Sequence, residues 1–335
     1  GNVSTIIGGR NSTLYDSYSF IGAGYTLNGK SKYNFLGTGK LNTIYTSSLY
    51  GSIINGRGNK LTGHSATIIN GYGHIINIPG VGTPQYLVGA TIAGGRLNSI
   101  LFKGQSFIGA GAYNKISGDS SFRSFIGAGS SNVIYGTRSF IGAGYGNKVF
   151  GGSSSIVSGV NSKIYTSSSL ILNAQNSIIS GTTGRNIIGG GNNNSLSGFY
   201  SLLLHGANNM LKSSYFATIL NGKNLTADTS STFSGLFGGY KNRISGSYNS
   251  INNGRYNVIT SSNRSSIING EKNTISSGGN IYGFIGNGSG NTILSYAFGS
   301  ILNGKSNTVR NIFSTILNGL RNYMSGTYSI IGSGI

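Results

Sequence analysis

A short period runs the whole length of this chain and leaves room for few folds. Twenty-one times an Ile or Leu stands three residues ahead of a small residue, almost always Gly: Ile53 before Gly56, Ile68 before Gly71, Ile267 before Gly270, Ile301 before Gly304, Ile316 before Gly319. Only Ala174 replaces the Gly. Successive anchors lie 15–18 residues apart, apart from one step of 24 between Gly71 and Gly95. A unit this short cannot hold two helices and a turn, but it fits one turn of a β-solenoid made of two or three short strands. The expected fold is therefore all-β: a parallel β-solenoid, of the β-roll or β-helix kind, with about 21 coils in one continuous domain over residues 1–335. Coils stack about 4.8 Å apart, so the expected length is on the order of 100 Å.

Numbered from the turn Gly, position −3 is aliphatic, −1 is small or Asn, +3 is usually Asn and +5 is usually aliphatic, as in Ile44, Leu61, Ile76, Ile100, Ile116, Ile259 and Ile275. Side chains two apart on a strand share a face, which puts −3 and −1 on the same side. On that rule Asn253, Asn269, Asn287, Asn303 and Asn318 form an amide ladder between coils, beside the aliphatic columns of Ile53, Ile68, Ile267, Ile301 and Ile316. Gly suits the corner because a tight turn often needs positive φ. Aromatic residues recur at −6, among them Tyr18, Tyr33, Tyr50, Tyr200, Phe216, Phe233, Tyr248, Phe298, Phe313 and Tyr328. They read as cover for coil edges or an inter-chain seam, or else as a row of stacking platforms for sugars or bases.

Each coil offers few aliphatic side chains to its own interior. The apolar row at −2 (Ile54, Ile69, Ile268, Leu302, Leu317) then needs a partner surface, and a side-by-side homotrimer is the expected solution. The chain opens and closes in mid-coil with no polar cap, which is expected of a fragment or of ends that join other chains.

The stretch Ser300-Ile301-Leu302-Asn303-Gly304-Lys305-Ser306-Asn307-Thr308-Val309 resembles the head repeat of trimeric autotransporter adhesins. Runs such as Tyr18-Ser19-Phe20-Ile21-Gly22-Ala23-Gly24 are similar to those of tail-fibre and surface-fibre proteins of phages and large viruses. The resemblance implies a fibre on a virion or cell surface, built from three chains. The sequence departs from the adhesin pattern where Asn, Ala or Gly replaces the usual Ile before the Gly, and the coil is longer by one to four residues.

The formal charge is +20, from 24 Lys and Arg against Asp16, Asp119, Asp228 and Glu271. Fifteen cations fall one to four residues after a turn: Arg10, Lys40, Arg57, Lys60, Arg96, Lys115, Lys148, Lys163, Lys223, Lys241, Arg243, Arg255, Lys272, Lys305 and Arg321. Stacking aligns them into a positive stripe. Such a stripe keeps a β-rod soluble and blocks edge pairing, or it attracts an anionic cell-surface polysaccharide. Nucleic acid is disfavoured, since no recognition helix or RNA-binding signature is present.

Catalysis and cofactors are not expected. Glycoside hydrolysis typically needs two carboxylates within about 10 Å, whereas these four acids lie many coils apart. His74 and His205 occupy the +3 and −1 slots and read as ladder substitutions, and the chain has no Cys, no HExxH and no Asp-rich calcium loop. The 24-residue step carries both prolines. It is expected to project near residues 77–88 as a loop with Pro79, Val81, Pro84 and Tyr86, where binding side chains are often found. The resulting expectation is a non-enzymatic fibre segment of a virus tail or surface fibre, extracellular or on the virion and used in host attachment. A bacterial adhesin head and a self-assembling extracellular filament are the alternatives.

Overall fold

Most of the described coils are built twice over from one four-residue device. Its first residue has left-handed backbone, its second is a buried Asn, Ser or other small residue, its third points outward, and its fourth is a buried aliphatic. Within one coil the device occurs as Tyr248-Asn249-Ser250-Ile251 and again as Tyr256-Asn257-Val258-Ile259. Tyr248 and Tyr256 have φ of 58° and 57°. Asn249, Ile251, Asn257 and Ile259 are all buried. The left-handed residue turns the chain, and the next three form a short strand. Two such corners per coil give two parallel sheets whose inner side chains face each other. A Cβ placed on Gly283, just ahead of the first-sheet strand Phe284–Ile285, would sit 2.7 Å from Cγ2 of Ile275 on the second sheet.

The computed structural model describes residues 3–46, 48–78, 89–101, 104–118, 122–181, 184–276, 282–294 and 298–334. Among the described residues there are strands and turns and no helix. The chain divides into two compact units, Gly1–Ser168 and Ser169–Ile335. Each is a parallel β-solenoid, as the period predicts.

In the first unit the first-sheet strands carry the aliphatic that precedes each turn. Ser52–Ile53, Thr67–Ile68 and Thr91–Ile92 pair in parallel, with Ile53 opposite Ile68 and Ile68 opposite Ile92. The second sheet runs through Lys60–Thr62, Ile75–Asn77 and Ser99–Leu101, with Leu61, Ile76 and Ile100 in one column. Both sheets keep their register across the 24-residue step, so the insertion leaves the stack undisturbed. Pro79, Val81, Pro84 and Tyr86 lie outside the described residues. In the second unit the same columns run through Ile251, Ile267, Ile285, Ile301 and Ile316, and through Ile259, Ile275, Ile293 and Val309. Ile53, Ile68, Ile267, Ile301 and Ile316 are all completely buried, as expected.

The expected amide ladder sits elsewhere. Asn253, Asn269, Asn287, Asn303 and Asn318 are exposed. Many first-sheet strands, such as Ser266–Ile267, end at the −3 aliphatic and the chain bends at −1. Even in the six-residue strand Leu170–Gln175 the alternation breaks, with Leu172 and Asn173 both exposed and Ala174 buried, so −1 faces outward. The buried ladder runs instead through +3. Asn257 Nδ2 donates to the Asn253 carbonyl of its own turn at 3.2 Å and to the Gly270 carbonyl of the next coil at 2.9 Å, and its Oδ1 accepts the Asn273 N–H at 3.0 Å. Asn273 repeats the three bonds against Asn269, Gly288 and Asn291. The other corner carries a parallel ladder, in which Asn249 Oδ1 accepts the Ser265 N–H at 2.9 Å. Asn257 and Asn273 each satisfy an N–H that the corner removes from the sheet ladder and add a second bond to the turn Gly carbonyl of the next coil. The turn Gly that accepts the amide has no room for a side chain: Gly270 has φ of 110°, and a Cβ there would lie 2.1 Å from the Gly288 oxygen.

Candidate binding surfaces

Stacked coils turn every outward position into a column, so the candidate surfaces are columns. At the −6 corner of the second unit, Tyr200, Phe216, Phe233 and Tyr248 stack with centroids 5.1, 4.9 and 5.2 Å apart. Arg264 continues the column between Tyr248 and Tyr282, 5.7 and 5.6 Å from their centroids. Phe298, Phe313 and Tyr328 complete it at 4.6, 4.8 and 5.0 Å. Tyr18, Tyr33 and Tyr50 do the same in the first unit. Interplanar angles within these stacks stay at or below 16°. The ring faces are therefore turned to one another, and solvent meets ring edges and tyrosine hydroxyls. A sugar or base stacks on a free face, and between the rings of these stacks there is none.

The fifteen candidate cations do not form one stripe. Arg10, Lys40, Arg57 and Arg96 line the turn corner of the first unit, one residue after the Gly, where they form isolated parallel bridges interleaved with tyrosines. Arg10 and Lys40 lie 5.9 and 5.1 Å from the Tyr25 ring, and Arg57 and Arg96 lie 5.9 and 5.8 Å from that of Tyr72. Lys60, Lys115, Lys148 and Lys163 stand on the outer face of the second sheet, on the strands Lys60–Thr62, Lys115–Ile116, Lys148–Val149 and Lys163–Ile164. The split follows from the +2 residue: its left-handed backbone separates +1 from +4 by a corner. Lys148 and Lys163 are direct register neighbours, and Val133 separates Lys148 from Lys115. Like charges directly opposite each other are destabilising, and no ion pair offsets them among the described residues of this unit. Beside them, Tyr135, Phe150 and Tyr165 stack at 4.9 and 4.8 Å.

The second unit treats its cations differently. Asp228 pairs with Arg243 at 2.6 Å and Lys212 at 3.7 Å, and Glu271 pairs with Arg255 at 2.7 Å and Lys272 at 3.5 Å. The hydrogen bond from Arg255 holds the Glu271 carboxyl below the usual carboxylate range. Lys241 lies between the Tyr240 and Tyr256 rings, 5.1 and 5.2 Å from their centroids. Lys223, Lys305 and Arg321 are exposed. Carboxylates thus offset cations at two places in this unit, at Asp228 beside the second-sheet strand Arg243–Ile244 and at Glu271 in the +1 column, whereas Lys148 and Lys163 of the first unit stand together.

His74 takes the +3 slot, as its position implied. Its Nδ1 accepts the Asn98 N–H at 3.2 Å, while Nε2 is buried without a hydrogen-bond partner. Burial pushes its pKa below the ordinary value. His205 is exposed at −1. Among the described residues no three His, Asp or Glu side chains converge as a metal site would require. No family model matches this sequence, and no curated protein matches it either.

Proposed function

We propose that this chain is a non-enzymatic fibre segment of a virus tail or surface fibre, carrying a basic face that contacts anionic host-surface glycans. The observation that carries the reading is the arrangement of Lys115, Lys148 and Lys163 on one sheet face, with Lys148 and Lys163 in adjacent register. A fold selected only for stability would separate these cations by neutral residues or pair them with carboxylates, as Asp228 pairs with Arg243 and Glu271 with Arg255. Keeping them adjacent supports a polyanionic partner that supplies the missing counter-charge along the stack. The stacked rings of Tyr135, Phe150 and Tyr165 beside them keep that face firm. The register of both sheets, held coil after coil, supports a load-bearing and repetitive role over a single-pocket one.

The test is binding of acidic and neutral polysaccharides at about 50 mM and 500 mM salt, where screening removes a charge-driven contact. Acidic polymers should bind at low salt only. Lys148→Gln with Lys163→Gln should weaken them several-fold, while Arg243→Gln, already paired with Asp228, should change little. Failure to bind any acidic polymer at low salt, or equal binding of neutral ones, removes the reading.

A further inference from the structure

The chain's charges are absent from one side of every coil. The outward positions of the first sheet are −4 and −2, and the bend residue −1 continues the same edge. None of these three positions holds a Lys, Arg, Asp or Glu in any of the coils, in a chain with 24 basic and 4 acidic residues. The outer face of the second sheet, with the same geometry, carries Lys60, Lys115, Lys148, Lys163 and Arg243. Solubility alone would spread charge over both faces. The first-sheet face is also flat in the coils with Phe at −4. Wherever Phe stands at −4, Gly stands at −2, and in the first unit the ring lies over it. A Cβ on Gly127 would be 3.3 Å from the Phe125 ring, and one on Gly142 would be 3.2 Å from that of Phe140. In coils without the Phe, side chains such as Ile268 and Leu302 stand 44% exposed on this face.

We infer that this uncharged first-sheet face is where a second copy of the chain packs, sheet against sheet. Charge selects the occupant. A polyanion would seek the lysines on the opposite face, whereas a copy that also carries +20 can approach closely only where both partners are neutral. Area agrees. About ten coils at ~4.8 Å, each about four residues wide at ~3.3 Å, give roughly 600 Å² per partner for one unit, or about 1,200 Å² in total. That reaches the lower bound of stable interfaces, about 1,200 Å². Level faces pack about 10 Å apart with their side chains interleaved. Two level faces cover each other fully only in a pair, so the pairing is twofold, where the fibre resemblance implies three chains. This inference does not depend on the glycan reading, which uses the other sheet.

Sedimentation of the full chain at about 1–50 µM, in low and high salt, tests it. The expected mass is two chains, unchanged by salt. Ile268→Lys with Leu302→Lys should give single chains, and Thr274→Lys with Thr308→Lys on the second sheet should leave the pair intact. Should the first variant fail to fold, spin labels at Ile268→Cys and Thr274→Cys replace it, since the protein has no other cysteine. The label at 268 should be immobilised and the one at 274 free. A single-chain mass at 50 µM, a mass of three chains, dissociation by the second-sheet lysines, or a mobile label at 268 would each overturn the pairing.

Discussion

At the scale of single residues, the protein is held by side chains that act as backbone. Asn257 bonds one carbonyl of its own turn and one carbonyl and one N–H of the next coil. The Asn273 N–H it accepts is buried, whereas the Gly270 carbonyl also accepts the Arg255 N–H at 3.0 Å. Asn257→Ala should therefore cost about 1–3 kcal/mol, mainly because it strands the buried Asn273 N–H. Asn257→Ser should cost less, because Ser177 in the equivalent slot still accepts the Asn194 N–H through its hydroxyl. Thermal or chemical unfolding of the two variants checks the order. His74 makes a pH prediction. Its neutral ring accepts from Asn98, and a proton on Nδ1 would set two donors against each other. Its folded pKa is lowered, so the unfolded chain binds more protons. Stability should be full above about pH 6.5 and fall as the pH drops below that value. His74→Asn should flatten the melting temperature between pH 7 and 5 and raise stability by about 1 kcal/mol. An unchanged slope in the variant would show that another group titrates.

The strand and corner form the next level. Aromatic residues rarely tolerate left-handed backbone, yet Tyr200, Phe216, Phe233 and Tyr248 all adopt it. Each corner accepts that strain, about 1–3 kcal/mol, because it places the ring beyond the sheet edge, where rings from successive coils meet at stacking distance. Ring pairs contribute about 0.5–1.5 kcal/mol each. Phe233 stacks on both Phe216 and Tyr248, so Phe233→Ala should destabilise by about 1–3 kcal/mol. Phe233→Gly should lose less, because glycine holds φ of 50° without strain. If the Gly variant melts below the Ala variant, the stored strain is smaller than argued. The period of aliphatics makes these strands legible in sequence, but the half-coil device is masked. Its signal was present, since Tyr-Asn-Ser-Ile and Tyr-Asn-Val-Ile recur eight residues apart at 248 and 256. Variation in the first residue hides it, because Tyr, Phe, Arg, Lys, Ser, Asn and Gly all occupy that corner.

For the molecule as a whole, charge opposes compactness. A chain at +20 repels itself, and Lys148 faces Lys163 across one strand spacing. Added salt should therefore stabilise the protein, raising its melting temperature by a few degrees between about 20 and 300 mM NaCl through screening. Calorimetry in a non-coordinating buffer measures this, and a fall in melting temperature would mean that ion pairs such as Arg243–Asp228 outweigh the repulsion. A repeat architecture also keeps damage local, because each coil touches only its neighbours.

Periodicity alone was enough to reveal the solenoid, its aliphatic columns and the coil in which the insertion sits, because one buried side chain per short strand leaves the same mark in every repeat. Spatial placement was needed for the rest. The amide ladder lies at +3 and not at −1 because the chain kinks after the −3 aliphatic and breaks the alternation, in long strands such as Leu170–Gln175 as in short ones. The cations fall into separate columns because a left-handed residue turns the chain between +1 and +4. Burial and corner geometry depend on the backbone path, and side-chain spacing along the chain records that path only where strands alternate without a break.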